Sequence, residues 1–298
     1  MGNLDYRALA VLDAVAASGS FEKAALALGI SQSAVSQRIK ALEDATGRLL
    51  VVRGTPSTPT GLGQRLVQHH RHVSLMEAAL DIDLGREQSL PEVAVAVDAD
   101  SLATWFPEAL GALLAPPRCQ LDLQLADSEQ ALGLVREGAV FGCVAAQGAG
   151  LPEGAAGTST QALGVLRHVC VATPAFAGHW FGDGFSAAAV KLAPAVVARR
   201  DLLTPFLARQ LGVRDRYPHH TLPAAPLLYR SIERGLAYGL MPELLALGPL
   251  ANGLLVDLAP GATCDVALAW HAWNIDTTFT RLLGEQVLAT ARRYLLQP

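Results

Sequence analysis

Ser20-Phe21-Glu22-Lys23-Ala24-Ala25-Leu26-Ala27-Leu28-Gly29-Ile30-Ser31-Gln32-Ser33-Ala34-Val35-Ser36-Gln37-Arg38-Ile39-Lys40 reads as two short helices separated by a tight turn. Phe21, Ala24, Ala25 and Leu28 stand at the spacing of one buried helical face, and Gly29 follows where a helix stops. Ser31 is placed to cap a second helix, whose buried stripe is Val35, Ile39 and Leu42. Ser33, Ser36, Gln37 and Lys40 then project from the opposite side. Amide and hydroxyl groups suit base edges in a major groove, while Arg38 and Lys40 suit phosphates or guanine. An amphipathic hairpin with a merely solvated polar face would show the same spacing, so the following residues matter. Leu49-Leu50-Val51-Val52-Arg53 predicts a strand, and residues 54–60, Gly-Thr-Pro-Ser-Thr-Pro-Thr, predict a turn. Together they make a wing beside the groove, where Arg53 and the hydroxyls of Thr55, Ser57, Thr58 and Thr60 can hold the sugar-phosphate backbone. The expectation is a winged helix-turn-helix, with Gln32, Ser33, Ser36 and Gln37 on bases and Arg38, Lys40, Arg53, Thr58 and Thr60 on the backbone.

The chain has 298 residues, 51% of them hydrophobic and 17% charged, enough for two or three cores. Its net charge of −4 is unevenly spread: residues 1–72 hold 8 Lys/Arg against 5 Asp/Glu, leaving 15 against 22 beyond. A mildly basic head on an acidic body fits a DNA-binding domain joined to a part that does not touch DNA. Because one head neutralises few phosphates, affinity should depend on several copies engaged together. No apolar leader and no uninterrupted apolar span of about 20 residues is present, which predicts a cytoplasmic protein without membrane contact. Cys119, Cys143, Cys170 and Cys264 are far apart in apolar stretches and read as buried reduced thiols.

From Gly61 to about Gly85 one long helix is expected, with Leu66, Val73 and Leu80 at heptad spacing that can pair with a second copy or pack on the head. Within it, His69-His70-Arg71-His72 lacks carboxylates or thiols at ligand spacing and reads as a solvated or phosphate-near basic patch rather than a metal site. Beyond Arg86-Glu87-Gln88-Ser89-Leu90-Pro91, strands are expected at Val93–Val97, Leu121–Leu125, Ala139–Ala145, Val165–Ala172, Pro194–Ala198, Leu236–Met241, Leu254–Leu258 and Val266–Trp270. Helices are expected at Ser101–Leu114, Ser128–Glu137, Thr204–Leu211, Leu227–Arg234 and Asp276–Leu296. That alternation predicts parallel βα units arranged as two lobes around a cleft. The divisions are thus 1–60 for the winged head, 61–89 for a linker helix and hinge, and 90–298 for a two-lobed effector-binding domain.

Such clefts bind small molecules at strand ends and helix N-termini. Asp98-Ala99-Asp100-Ser101 leaves the first strand of this region, and Asp127-Ser128 leaves the second. Asp98, Asp100 and Asp127 can face a ligand's cation and Ser101 its carboxylate, although each can equally cap a helix. Motifs for nucleophilic catalysis, phosphate loops, zinc hydrolysis and dinucleotide binding are missing, so no enzyme is expected. Trp270-His271-Ala272-Trp273 reads as packed core.

Over essentially its whole length the chain resembles the LysR-type transcriptional regulators, and within them the ArgP/LysG group. The resemblance rests on residues 32–40, on the run Asp98-Ala99-Asp100-Ser101-Leu102-Ala103-Thr104-Trp105-Phe106, and on Trp270-His271. It implies an all-α winged head, an α/β effector domain of periplasmic-binding-protein type, and a homotetramer of two dimers paired through the linker helix. It further implies double-stranded DNA and RNA polymerase as partners, no cofactor, no metal, and lysine or arginine as effector, usually to control its export. Asp98, Asp100, Ser101, Trp105, Asp127, Ser128, Arg199 and Asp201 are the effector residues so implied. Three departures stand out. Thr58 precedes Pro59-Thr60 where relatives often carry Arg, Ala224-Ala225-Pro226 replaces a polar acidic loop, and Arg199-Arg200-Asp201 replaces a more acidic segment. These leave two alternatives: an anionic or apolar effector countered by Arg199 or Arg200, and an architectural or origin-binding protein with little effector response.

Overall fold

The computed structural model describes residues 4–86, 90, 92–114, 119–148, 157–198, 201–214, 216–223 and 225–297. The head begins with α1 (Tyr6–Ser18), followed by α2 (Phe21–Leu28) and α3 (Gln32–Thr46). Ser20 and Ser31 cap α2 and α3, their hydroxyls accepting from the backbone amides of Lys23 and Ala34. Gly29 ends α2 at φ +64°, a left-handed conformation that a side chain would strain. Val35, Ile39 and Leu42 of α3 join Leu9 and Leu12 of α1 and Ala24 and Ala25 of α2 in one core. β1 (Val51–Val52) and β2 (Thr58–Pro59) pair antiparallel as a short wing, docked on the α1–α2 corner by Ser57 N donating to Gly19 O at 2.8 Å.

α4 (Gly61–Asp83) leaves the wing. Leu62, Leu66 and Val67 pack on the head core, so Leu66 of the expected heptad stripe serves the head. Farther along, Met76 and Leu80, with Leu84 just beyond, are 46%, 56% and 53% exposed and form an apolar strip at four-residue spacing.

The effector domain opens with β3 (Glu92–Val97), the short helices α5 (Ala99–Ala103), α6 (Phe106–Ala109) and α7 (Gly111–Leu114), then β4 (Gln120–Leu125), α8 (Ser128–Arg136) and β5 (Gly142–Ala146). The chain crosses to the second lobe on β6 (Thr158–Ala172) and builds α9 (Pro174–Trp180), α10 (Ala187–Val190), β7 (Ala195–Ala198), α11 (Leu203–Leu211), β8 (His219–Leu222), α12 (Ala225–Glu233), β9 (Gly239–Pro242), α13 (Glu243–Ala251) and β10 (Val256–Asp257). It returns on β11 (Thr263–Trp273) and ends with α14 (Thr278–Tyr294).

Two expectations need correction. The helix expected over Ser101–Leu114 is broken at Thr104-Trp105, because Pro107 in the first turn of α6 has no amide to donate and crowds the preceding turn. The expected all-parallel βα arrangement holds only in part. The main sheet runs β10-β6-β11-β5-β3-β4, with β9 also on β6, and its parallel pairs are β3 with β4 and β3 with β5. β6 and β11 are long and antiparallel, and their pairing joins the two lobes. The first lobe packs around Trp105, Phe106, Val144, Trp270 and Leu283; the second packs around Phe176, Phe206, Tyr238, Ile232 and Met241.

One close approach locks the linker helix to the wing. A Cβ on Gly63 would lie 2.0 Å from the Leu50 carbonyl oxygen, which already accepts from Thr60 N. Gly63→Ala should destabilise the head by about 1–3 kcal/mol through forced separation of α4 from β1. Chemical denaturation followed by circular dichroism checks this, and an unchanged midpoint would contradict it.

Candidate functional site

The N-terminal half of α3 presents Gln32, Ser33, Gln37, Arg38 and Lys40 to solvent, with Ser36 half-buried and Val35 and Ile39 fully inside. Ser33, Gln37 and Lys40 share the face opposite the core, as a groove-reading helix requires, with Gln32 and Arg38 exposed at its flanks. In the wing, Thr58 is exposed and Arg53 folds back so that its guanidinium lies 5.1 Å from the Phe21 ring centre. The expected contribution of Thr60 is corrected by its surroundings: its hydroxyl donates to Leu49 O at 2.9 Å and accepts from Gly63 N at 3.1 Å, capping α4. Ser57 is likewise buried and donates to Gly54 O. Nor is His69-His70-Arg71-His72 an outward basic patch. His70 and Arg71 pair with Asp13 of α1, His69 bonds Tyr6, and the His72 ring lies against Trp273.

Between the lobes lies a cavity of about 420 Å³. Its first-lobe wall carries Asp98, Asp100, Asp127, Ser128 and Gln130, and its second-lobe wall carries Ala198, Leu202, Pro223 and Ala225. Leu166 and His168 of β6 and Val266 and Leu268 of β11 make the floor. Among the described residues, one wall is therefore acidic and the other apolar.

The carboxylates differ in what they hold. Asp98 caps α5 through Oδ1, accepting from Asp100 N at 3.1 Å and Ser101 N at 3.0 Å. Its Oδ2 is buried without a hydrogen-bond partner among the described residues. Burial raises the Asp98 carboxyl above its ordinary value, against the opposing pull of Ser101 and the backbone amides; the neighbouring Asp100 charge adds to the rise. Asp100, by contrast, is held on both oxygens. His168 Nε2 lies 3.0 Å from Oδ2, and the Tyr229 hydroxyl donates to Oδ1. Because Tyr229 sits on α12 and Asp100 on α5, this bond ties the second lobe to the first. Burial and then the Asp100 charge push the Tyr229 hydroxyl upward, so it stays protonated as the donor. Asp127 caps α8 by accepting from Gln130 N, and the Ser128 hydroxyl accepts from Ala146 N at 2.9 Å.

Not every expected effector residue lies in this cavity. Trp105 is fully buried in the first-lobe core against Phe106 and does not line the cavity. Ser101 is also fully buried, beneath Asp98. Asp201 caps the start of α11, accepting from Leu203 N and Thr204 N, beside the cavity rather than in its lining. Arg199, with Arg200 and Ala224, lies outside the described residues. His168, Tyr229 and Gln130 were missed. His168 stands alone in an apolar strand, and only that break in the Val165–Ala172 pattern signals it.

Residues 6–64 match the family described as bacterial regulatory helix-turn-helix protein, lysR family. Over 291 residues, 96% of each chain, the sequence is 43% identical to the HTH-type transcriptional regulator ArgP of Pseudomonas aeruginosa. The crystal structure of ArgP from Mycobacterium tuberculosis matches with a TM-score of 0.86 at 33% identity, covering 99% of this chain and 100% of that one. Full-length LysG from Corynebacterium glutamicum with its bound effector arginine matches at 0.79 and 32% identity, with 99% and 100% covered. A reading helix, a wing, a linker helix and a two-lobed cleft define a DNA-binding transcriptional regulator, and the chain belongs to the LysR-type family. Within that family it is similar along its whole length to ArgP and LysG. Among the described residues no helix is long and apolar enough to cross a membrane.

Tyr229→Phe removes the donor to Asp100 while keeping the ring. It should cost about 1.5–3 kcal/mol, the range for a hydrogen bond to a charged group, read by denaturation of the full chain. A loss below about 0.5 kcal/mol would show that the tie between lobes contributes little.

Proposed function

We propose that this regulator senses a basic amino acid, L-arginine or L-lysine, in the cleft between its lobes and reads its operator through the exposed face of α3. The observation that carries the effector assignment is Asp98 Oδ2: a carboxylate oxygen buried in a cavity wall, with no hydrogen-bond partner among the described residues. A buried carboxylate without a counter-charge is costly, and a guanidinium or ammonium group removes that cost. The apolar wall of Ala198, Leu202 and Pro223 suits the aliphatic stem that such a ligand carries. LysG, its relative, was solved with arginine as effector. The regulator acts as an oligomer in this reading, with the strip Met76, Leu80 and Leu84 facing a second copy so that two heads engage one operator. Control of amino acid export is the physiological role this ligand class supports.

Thermal shift of the full chain tests the effector. At a hundredfold excess over Kd, a site that binds only the folded protein adds about 2.7 kcal/mol of stability. Asp98→Asn keeps the helix cap and removes the charge, so arginine affinity should fall roughly tenfold or more. Binding should also weaken as pH falls toward the raised Asp98 value, because only the ionised form attracts the cation; the titratable groups beside it are Asp100 and His168. Stabilisation by organic acids alone would transfer the site to an anionic effector.

At the DNA, Lys40→Ala should weaken binding to all sequences and lower the salt slope by about 1, whereas Gln37→Ala should relax preference at particular base pairs by ~1–3 kcal/mol. Binding titrations across salt and operator variants check the division of roles. Equal behaviour of the two variants would contradict it.

A further inference from the structure

The last backbone carbonyls of α8 and of the turn after it are capped by the linker helix. Gln64, Gln68 and Arg71 stand at i, i+4 and i+7 and share one face of α4. Gln64 Nε2 donates to Glu137 O, Gln68 Nε2 donates to Arg136 O at 2.9 Å, and an Arg71 guanidinium nitrogen donates to Gly138 O at 3.1 Å. Carbonyls at a helix C-terminus lack intrahelical partners and carry its negative dipole end, so two amides and a cation suit them. The approach is close. A Cβ on Gly138, which sits at φ +64°, would lie 2.7 Å from Gln68 Cγ and 3.2 Å from Gln68 Cα. The same Arg71 reaches back to Asp13 of the head at 2.7 Å, and Trp273, against which His72 lies, donates from its indole to Val135 O. Hydrogen bonds from His70 and Arg71, with the Arg71 charge, overcome the effect of burial and hold the Asp13 carboxyl below its ordinary value.

The opposite end of α8 carries Asp127 and Ser128, which line the cleft. Between its ends the helix is about 13 Å long and is fixed on the first-lobe sheet by Ala131, Leu132 and Val135. We propose that α8 is the strut that couples the cleft to the DNA-reading head: the linker helix and head ride on the first lobe through Gln64, Gln68 and Arg71. Closure of the second lobe then reorients the first lobe and the head as one body. This rests on the reading that an amino acid fills the cleft, and the experiment separates the two.

Hydrogen exchange of the full chain, with and without saturating L-arginine, tests the strut. In the wild-type protein arginine should slow exchange about fivefold in α8 and in residues 64–72. In Gln64→Ala/Gln68→Ala, which leaves the Arg71–Asp13 pair in place, the slowing should persist in α8 and vanish from residues 64–72. Gly138→Ala, which separates the same surfaces sterically, should behave alike. Slowing confined to α8 in the wild type, or slowing of residues 64–72 that survives in both variants, overturns the strut. If neither L-arginine nor L-lysine alters α8, the effector reading fails and the strut is read from Asp127→Ala, which uncaps α8 at the cleft. That variant should speed exchange of residues 64–72 about fivefold, but not in the Gln64→Ala/Gln68→Ala background. An effect confined to α8 overturns the proposal.

Discussion

The antiparallel pairing of β6 with β11 holds the effector domain together. Its register runs from Thr263 opposite Val169 to Trp273 opposite Thr158, with a shift at Leu268–Ala269. One end of this ribbon lies in the sheet of the first lobe beside β5, and the other carries β9 and β10 of the second. It is the link between the lobes and the floor of the cavity they enclose. Leu166, His168, Val266 and Leu268 all belong to it. In the proposed reading, a ligand bridging the walls above this ribbon would change the angle between lobes rather than the inside of either core, since packed cores resist continuous deformation.

Asp98 and Asp100 show how position within the fold separates two identical side chains. They are two residues apart at the start of α5, yet Asp100 is hydrogen-bonded by His168 and Tyr229, while Asp98 keeps a buried oxygen without a hydrogen-bond partner among the described residues. The first carboxylate has become part of the architecture and holds the lobes at a set distance. The second keeps an oxygen without a hydrogen-bond partner among the described residues, which is the feature the proposed cationic effector would satisfy. The four cysteines line no part of this cleft; all are buried thiols outside any disulfide, and burial pushes the Cys119 and Cys143 thiols up to about 11 and about 12.

Much of the head was legible because its signals are local. Caps at Ser20 and Ser31, the stop at Gly29 and the stripe Val35, Ile39 and Leu42 depend on neighbours within a turn or two of helix. The exposed face of α3 follows from that stripe. Thr60 was misread because a threonine in a turn has the same sequence signature whether its hydroxyl faces a phosphate or caps the next helix. The basic run His69-His70-Arg71-His72 was misread for a related reason: only the approach of Asp13 and Gly138 turns it into a junction.

In the effector domain, local pattern located most strands and helices but not their partners. Nothing near Val165 or Val266 announces that these two long strands pair antiparallel with each other, and nothing near Trp105 announces that its indole packs in the first-lobe core. By itself the sequence determined a winged reading head, an amphipathic linker and an acidic strand exit at Asp98 and Asp127, since periodicity and capping act over a few residues. The tertiary structure alone decided that His168 and Tyr229 hold Asp100 rather than Asp98, and that α8 spans from cleft to linker. Those outcomes depend on contacts between residues far apart in the chain, where burial and hydrogen-bond partners are assigned by the fold rather than by neighbours.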